Sequence, residues 1–165
     1  LLGDAAHAIV PFYGQGMNSG FEDARVLADM LDRHDGHPSD AEWGALIRAF
    51  SKERKPHGDA IGDLALRNFI EMRDLTGDAR FLLRKRIERR LTDRNPDQWL
   101  PLYSMVTFSH LPYAEALALG RIQDDIMTAV MDRPDIESMW DSEEVEAHAL
   151  RLAAERLPLP NMASH

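Results

Sequence analysis

The sequence predicts a mostly α-helical fold. Apolar residues recur every three or four positions in several stretches, which is the period of amphipathic helices and not of strands. Helix-start residues precede two of these stretches, at Ser39 and at Asp141 or Ser142, and glycine and proline separate several others. Only Leu1 and Leu2 resemble the last apolar residues of a buried strand.

The composition is that of a soluble globular protein. In 165 residues, 44% are hydrophobic and 28% are charged, which is enough for one core. The net charge of -9 argues against a nucleic-acid partner, and the absence of cysteine excludes disulfides and thiolate metal sites. The seven histidines lack metal-ligand spacing, and no apolar run approaches the roughly 20 residues that cross a bilayer. We therefore predict no metal site and no membrane partner.

The first 23 residues, LLGDAAHAIVPFYGQGMNSGFED, predict a binding loop that leads into a helix. Gly3 permits a sharp turn, and Asp4 places a carboxylate where it can accept hydrogen bonds from hydroxyl groups. The loop before the helix and the first residues of the helix contain two glycines and several polar residues. The residues of interest are Pro11, Gly14, Gln15, Gly16, Met17 and Asn18. A helix start carries unpaired N–H groups, so an electron-rich ligand can approach the backbone there. An ordinary strand-to-helix turn is the alternative, which each residue singly would favour and the combination does not.

This run resembles the second flavin-contacting motif of the class A flavin monooxygenases, which share the para-hydroxybenzoate hydroxylase fold. The longer segment GDAAHAIVPFYGQGMNSGFED is similar to the corresponding segment of the kynurenine 3-monooxygenase family. The resemblance implies the C-terminal part of an α/β (α+β) fold that binds FAD and NAD(P), with a helical C-terminal cap. It implies that Asp4 binds a ribityl hydroxyl of FAD, and that Gly16, Met17 and Asn18 face the pyrimidine edge of the flavin. Pro11 and Gly14 complete the predicted cofactor-binding set.

Two further segments resemble the same family, RNFIEMRD around Asn68 and YSMVTFSHLPYAEAL from Tyr103. The resemblance implies that Asn68 contacts the amino-acid end of kynurenine, that Tyr103 contacts its carboxylate, and that Phe12 and Gln15 line the pocket. From the residues alone, Asn68 is the polar member of an apolar helix face. An unpaired buried amide costs about 1–3 kcal/mol, so we expect a partner in the protein or in a ligand. The alternatives are a satisfied core asparagine, a core tyrosine with its hydroxyl at the surface, and ordinary packing of the aromatic pair Phe12 and Tyr13.

The periodicity and the turn residues set the expected helix bounds. A first helix runs from Met17 to a break at 34–36, and a second from the Ser39 cap to near Pro56. The remaining helices are expected at 58–75, from the break at 76–78 to about 92, from 109 or 112 to 133, and from 142 to 157, with a frayed tail at 158–165. The segment 99–113 is too rich in proline, β-branched and aromatic residues to predict a plain helix.

We assign residues 1–35 to the C-terminal part of an FAD-binding domain. Residues 36–165 form a helical region with the substrate pocket and the C-terminal cap. The helix at 78–92 is strongly basic, with Arg80, Arg84, Lys85, Arg86, Arg89, Arg90 and, just beyond it, Arg94. Its face can receive an anion such as the phosphates of the nicotinamide cofactor, but a solvated, salt-bridged face is favoured.

The resemblance implies an enzyme that reduces FAD with NADPH and hydroxylates L-kynurenine to 3-hydroxykynurenine through a flavin hydroperoxide formed with dioxygen. That reaction belongs to tryptophan degradation. No catalytic residue is assigned, because the substrate's amine already makes its ring electron-rich and a dry, shaped pocket is the main requirement. A flavin hydroxylase with another aromatic substrate and a non-catalytic helical interaction module remain the alternatives.

We expect this chain to be a fragment, since it lacks an initiator Met and the G-x-G-x-x-G turn that would hold the adenosine diphosphate of FAD. The missing N-terminal part of the same polypeptide would complete the site. Alone, the fragment should bind FAD weakly or not at all, be inactive, and aggregate or be partly disordered near its exposed apolar start. The absence of the membrane-targeting segment of eukaryotic family members predicts a soluble, cytoplasmic protein of bacterial type.

Overall fold

A computed structural model describes residues 1–34 and 37–157, and this part of the chain is helical and contains no strand. The helices are α1 (Gly16–Asp32), α2 (Asp40–Ile70), α3 (Ala79–Arg94), α4 (Leu102–Phe108), α5 (Tyr113–Met131), α6 (Ile136–Met139) and α7 (Glu143–Arg156). A 3₁₀ turn, Gly3–Ala5, precedes α1, and a π-helical turn, Glu71–Leu75, follows α2. None of these helices is both long and apolar enough to cross a membrane.

The mostly helical prediction is confirmed, and the predicted break at 34–36 and tail at 158–165 lie partly or wholly outside the described residues. The backbone of Leu2 is extended, with φ -144° and ψ 148°, but it pairs with no other described segment. The α/β part of the predicted fold is thus not confirmed by this chain.

The chain divides into two compact units. The first comprises Leu1–Glu71 with Pro112–Ala114, and the second comprises Met72–Leu111 with the described residues from Glu115 onward. The assignment of 1–35 and 36–165 to a cofactor domain and a substrate region is functional and stays a prediction. The core of the second unit joins the predicted apolar faces of α3, α5 and α7: Ile87, Leu91, Ile126, Val130, Val145, Ala149 and Leu152.

Helix α2 is continuous through Pro56, so the predicted end there and the new start at Gly58 are wrong. Proline lacks an N–H group and cannot donate to the carbonyl of the residue four positions earlier, which is Lys52. Both Pro56 and Lys52 are exposed, so water can hydrogen-bond that carbonyl. On the opposite face, Phe50 and Ile61 are buried on either side of the proline, and their burial holds the helix together.

The prediction for 99–113 is wrong at its centre, because Leu102–Phe108 forms α4. Pro101 is the residue before this helix, a position where a missing N–H group costs nothing. The helix packs closely on α5, where a Cβ atom placed on Gly120 would lie 2.7 Å from Cδ2 of Leu102. Helix α6 was not predicted, and its Ile136 is buried in the core of the second unit.

The predicted caps and the salt-bridged basic helix are confirmed. The side chain of Glu42 accepts a hydrogen bond from the Ser39 N–H at 2.7 Å, and the Ser142 hydroxyl accepts one from the Val145 N–H at 3.3 Å. Six basic residues of α3 form ion pairs within the second unit: Arg80, Arg84, Lys85, Arg89, Arg90 and Arg94.

Replacing Pro56 by alanine is expected to raise the free energy of unfolding by about 1–2 kcal/mol. The new N–H group can donate to the Lys52 carbonyl, and this gain exceeds the smaller entropy that proline removes from the unfolded chain. Thermal unfolding of the complete gene product checks it, with Pro134→Ala in the exposed turn before α6 as the control. A lower melting temperature for Pro56→Ala would contradict the continuous helix.

Candidate cofactor-binding site

The loop before α1 is shaped by two glycines in the left-handed region, Gly3 at φ +57° and Gly14 at φ +68°. Residues with a side chain rarely adopt this conformation, so the sequence requires glycine at both points. The Gly3 carbonyl accepts hydrogen bonds from the N–H groups of Ala6 at 2.8 Å and His7 at 3.0 Å. These bonds close a tight turn that carries Asp4.

A groove of about 530 Å³ lies between this turn and the start of α1. Its lining residues are Asp4, Ile9, Pro11, Gly14, Gly16, Met17, Gly20 and Phe21. A Cβ atom on Gly16 would lie 4.0 Å from Oδ1 of Asp4, so glycine keeps the space beside this carboxylate open. Every predicted cofactor-binding residue except Asn18 lines the groove, although their role in binding FAD stays a prediction.

The amino end of α1 opens onto the groove. Gln15 is the N-cap residue, but its side chain makes no capping hydrogen bond to the helix. Its backbone carbonyl accepts the first helical bond, from the Ser19 N–H at 2.9 Å. The N–H groups of Gly16, Met17 and Asn18 therefore have no carbonyl of their own helix to bond, and they give this end a partial positive charge.

Gln15 and Asn18, which the sequence assigned to different ligands, bond to each other. The Asn18 Nδ2 donates to Oε1 of Gln15 at 2.8 Å, and Gln15 is only 6% exposed. This bond engages the side-chain oxygen Oε1 of Gln15, which does not cap the first-turn N–H groups. It therefore leaves those backbone donors for a ligand.

Asn68 has its partner within the protein, as expected of a polar residue on an apolar face. Its Nδ2 donates to the backbone carbonyl of Phe12 at 2.6 Å. The ring of Phe12 packs on Phe69 at a centroid distance of 4.6 Å, so two contacts attach this part of the loop to α2. The structure brings together two of the four predicted substrate residues, and their contact with a substrate stays a prediction.

Tyr103 belongs to the second unit and lies on α4. It is 51% exposed, and its ring meets the ring of Phe108 edge-on at 6.0 Å. The alternative of a core tyrosine is therefore wrong. Its predicted role in binding a carboxylate remains untested.

One polar cluster was not predicted from the sequence: buried Asp23 and Arg54 contact the partly buried His7 and Glu22. Asp23 is 2% exposed, and its Oδ2 accepts hydrogen bonds from the Gly3 N–H at 3.2 Å and from His7 Nε2 at 2.6 Å. Its Oδ1 accepts a hydrogen bond from Arg54 Nε at 2.7 Å, and Arg54 also donates to Glu22 at 3.0 Å. One signal was present in the sequence: Arg54 stands four residues after Phe50 on the apolar side of α2.

This cluster changes the ionisation of its members. Burial by itself raises the pKa of Asp23, but hydrogen bonds from Arg54, His7 and Gly3 outweigh it and hold that pKa below its ordinary value. Burial likewise lowers the pKa of Arg54, and its bonds to Asp23 and Glu22 reverse the effect. Next to the cluster, the buried Tyr113 has a raised pKa because of its burial and the nearby Glu22 carboxylate. Asp23 and Arg54 are thus both charged at neutral pH.

His7 reaches Asp23 because α2 has no side chain at Gly58. This glycine is buried in the middle of the helix, and a Cβ atom on it would lie 3.2 Å from Cδ2 of His7. Since Asp23 is ionised, the Nε2 atom of His7 carries the proton that it donates. A mid-helix glycine therefore marks the place where the imidazole lies against α2.

Residues 1–65, which contain the groove and the charged cluster, match a protein family described as the FAD binding domain. The chain is also 50% identical over 152 residues to the kynurenine 3-monooxygenase of Flavobacterium johnsoniae, which covers 92% of this chain and 33% of that protein. The kynurenine 3-monooxygenases of Flavobacterium psychrophilum and Christiangramia forsetii are 47% and 49% identical, with the same coverage. These similarities confirm the resemblance drawn from the motifs. The chain spans about a third of the length of these relatives.

Alanine at Gly58 and at Gly62 is expected to have opposite effects on stability. At Gly62 the Cβ atom meets open space, so the better helix propensity of alanine stabilises the protein by up to about 1 kcal/mol. At Gly58 the same atom presses on His7, and we expect a loss of about 1–3 kcal/mol. Urea unfolding of both variants of the complete gene product checks this, and equal stabilisation by both would contradict the contact with His7.

Asp23→Asn is expected to cost about 3–5 kcal/mol at pH 7, because it leaves Arg54 buried without its partner. The folded-state pKa of Asp23 is lowered, so its stabilising charge is present above the ordinary value of 3.8 and is lost as the pH falls through the folded value. The difference in melting temperature between wild type and variant should therefore shrink below a pH of about 4. The same difference at every pH from 7 to 2 would contradict this, and the exposed Asp29→Asn is the control.

Proposed function

We propose that the complete protein containing this chain is an FAD-dependent, NADPH-using monooxygenase that hydroxylates L-kynurenine to 3-hydroxykynurenine. In it, residues 1–35 supply part of the flavin site of an α/β fold, and residues 36–165 supply the substrate pocket and its helical cap. The observation that carries the proposal is the groove at the start of α1. It lies in the region that matches an FAD-binding family, in a chain half identical to a protein named for this reaction.

The residues of the groove fit a flavin. The Asp4 carboxylate is an acceptor for a ribityl hydroxyl, and the glycines at 14 and 16 leave the backbone accessible. The first-turn N–H groups of α1 match the pyrimidine edge of the ring, where carbonyl oxygens are found and where negative charge collects on reduction. Exposed Met17 and Phe21 give the same groove an apolar wall for a flat ring.

Bound FAD supplies the transfer of electrons from NADPH and the activation of dioxygen. The chain's own residues bind and orient the cofactor and the substrate. The positive end of α1 would stabilise negative charge on the pyrimidine edge of the flavin. Phe12 and Gln15 line the substrate pocket, and Asn68 and Tyr103 bind the amino-acid end of the substrate. No side chain is assigned as a catalytic base, because the substrate's amine makes its ring electron-rich.

Substrate recognition follows from the polar groups of two residues. The Asn68 amide donates to the Phe12 carbonyl, so its Oδ1 is the atom suited to accept a bond from the ammonium of an amino acid. Tyr103 offers a hydroxyl donor for the carboxylate on a rigid, partly exposed ring. Both groups suit the amino-acid end of L-kynurenine.

The test uses the complete product of the gene that encodes this chain. The protein is incubated with FAD, NADPH and L-kynurenine in air, and mass spectrometry monitors addition of one oxygen atom to kynurenine. Product that depends on all three components supports the proposal. A protein that binds FAD and consumes NADPH but leaves kynurenine unchanged would be a flavin hydroxylase for another aromatic substrate, and one that binds no flavin would be an interaction module.

Tyr103→Phe and Asn68→Ala are expected to raise the KM for L-kynurenine about tenfold to a hundredfold, since each removes a hydrogen bond to a charged group. Arg89→Ala, on the exposed face of α3, is the control and should leave KM unchanged. Steady-state kinetics with kynurenine as the varied substrate check this. Wild-type KM values in both pocket variants would remove these residues from the substrate site without affecting the flavin assignment.

A further inference from the structure

We infer that Asp23 is a positioning residue for the cofactor site: it fixes the turn that carries Asp4 beside the start of α1, with His7 and Arg54 as its partners. The inference rests on the proposal that the groove binds FAD. Asp23 itself lies outside the groove. Its effect on a ligand is therefore transmitted through the turn.

Both sides of the Asp4 turn attach to the same carboxylate oxygen. The Gly3 N–H, just before Asp4, and the His7 Nε2, three residues after it, both donate to Oδ2 of Asp23. Between these points, the Gly3 carbonyl accepts the N–H groups of Ala6 and His7. Asp4 thus belongs to a short ring of hydrogen bonds, and Asp23 anchors this ring at both of its ends.

The anchor requires a carboxylate. Three donors converge on Asp23, two on Oδ2 and the Arg54 Nε on Oδ1. An asparagine has one acceptor oxygen, and its NH₂ group would face at least one of these donors. Arg54 is itself 6% exposed and also bonds Glu22, so its guanidinium has a fixed orientation when it reaches Asp23.

Asp23 and the N–H groups of the groove belong to the same helix, α1. Asp23 follows Gly16 by seven residues, about two turns, so both lie on the same side of one rigid helix. The turn also touches this helix directly, because a Cβ atom on Gly20 would lie 3.6 Å from the Gly3 Cα. Asp23 therefore sets the separation between the Asp4 carboxylate and the N–H groups at the start of α1, which are the two polar elements of the groove.

The first experiment measures hydrogen exchange and FAD affinity in the complete gene product. In flavin-free Asp23→Asn, the amides of residues 3–7 are expected to exchange about tenfold to a hundredfold faster, and the Kd for FAD to rise by a similar factor. Exchange in α3, α5 and α7 should keep its wild-type rate. Asp29→Asn, six residues closer to the end of the same helix and paired with Arg25 on the surface, should change neither quantity.

A pair of variants at His7 keeps the test decisive where Asp23→Asn fails to fold. His7→Gln retains an N–H donor and is expected to keep exchange at residues 3–7 and the Kd for FAD within about threefold of wild type. His7→Phe retains the ring but not the donor, and should shift both quantities in the direction of Asp23→Asn. Equal values for the two His7 variants would overturn the inference.

Three results separate failure of this inference from failure of the proposed function. Faster exchange at residues 3–7 with an unchanged Kd for FAD would overturn the positioning role and leave flavin binding standing. Faster exchange throughout the first unit in Asp23→Asn, with equal exchange at residues 3–7 in the two His7 variants, would mean that Asp23 only stabilises the fold, and would also overturn the inference. A wild-type protein that binds no FAD would overturn the proposed function and the cofactor role of Asp23 together, while exchange alone would still decide whether Asp23 holds the turn.

Discussion

The buried ion pair between Asp23 and Arg54 is the interaction on which the arrangement of the first unit depends. Oδ1 of Asp23 lies 2.7 Å from Nε of Arg54, and both side chains are almost completely buried. Such a pair contributes little net stability compared with apolar packing, but loss of one partner is costly because a bare charge stays buried. Here the pair joins α1, α2 and the Asp4 turn through defined hydrogen bonds. Its main consequence is a fixed register between these three segments.

That register determines which face of α1 is buried. The buried residues are Ser19, Asp23 and Val26, whereas the apolar residues Met17 and Phe21 are 70% and 64% exposed. Those two residues line the groove, so the most exposed apolar side chains of α1 lie at the candidate ligand site. A helix that packs through a charged residue thus presents its apolar side and its positive end to the same groove.

The loop between the turn and α1 is held along α2. His7 lies against Gly58, and Phe12 bonds Asn68, ten helical residues farther on. The Phe12 N–H also donates to the Val10 carbonyl at 2.9 Å, so the loop turns at the point where Asn68 holds it. Asn68 is therefore a structural residue of the loop as well as a candidate substrate ligand.

The sequence alone determined the helical periodicity, the caps at Ser39 and Ser142, and the core faces of α3, α5 and α7. It also determined the glycine-containing loop that carries Asp4 and leads to Gly16. These features depend on residues close together in the chain, where local propensity and spacing act directly. Only the tertiary structure decided that α2 continues through Pro56, that 102–108 is helical, and that Asp23 meets Arg54 and His7. Each of these depends on a contact between distant residues, which offsets a local penalty or satisfies a buried charge that no local pattern reveals.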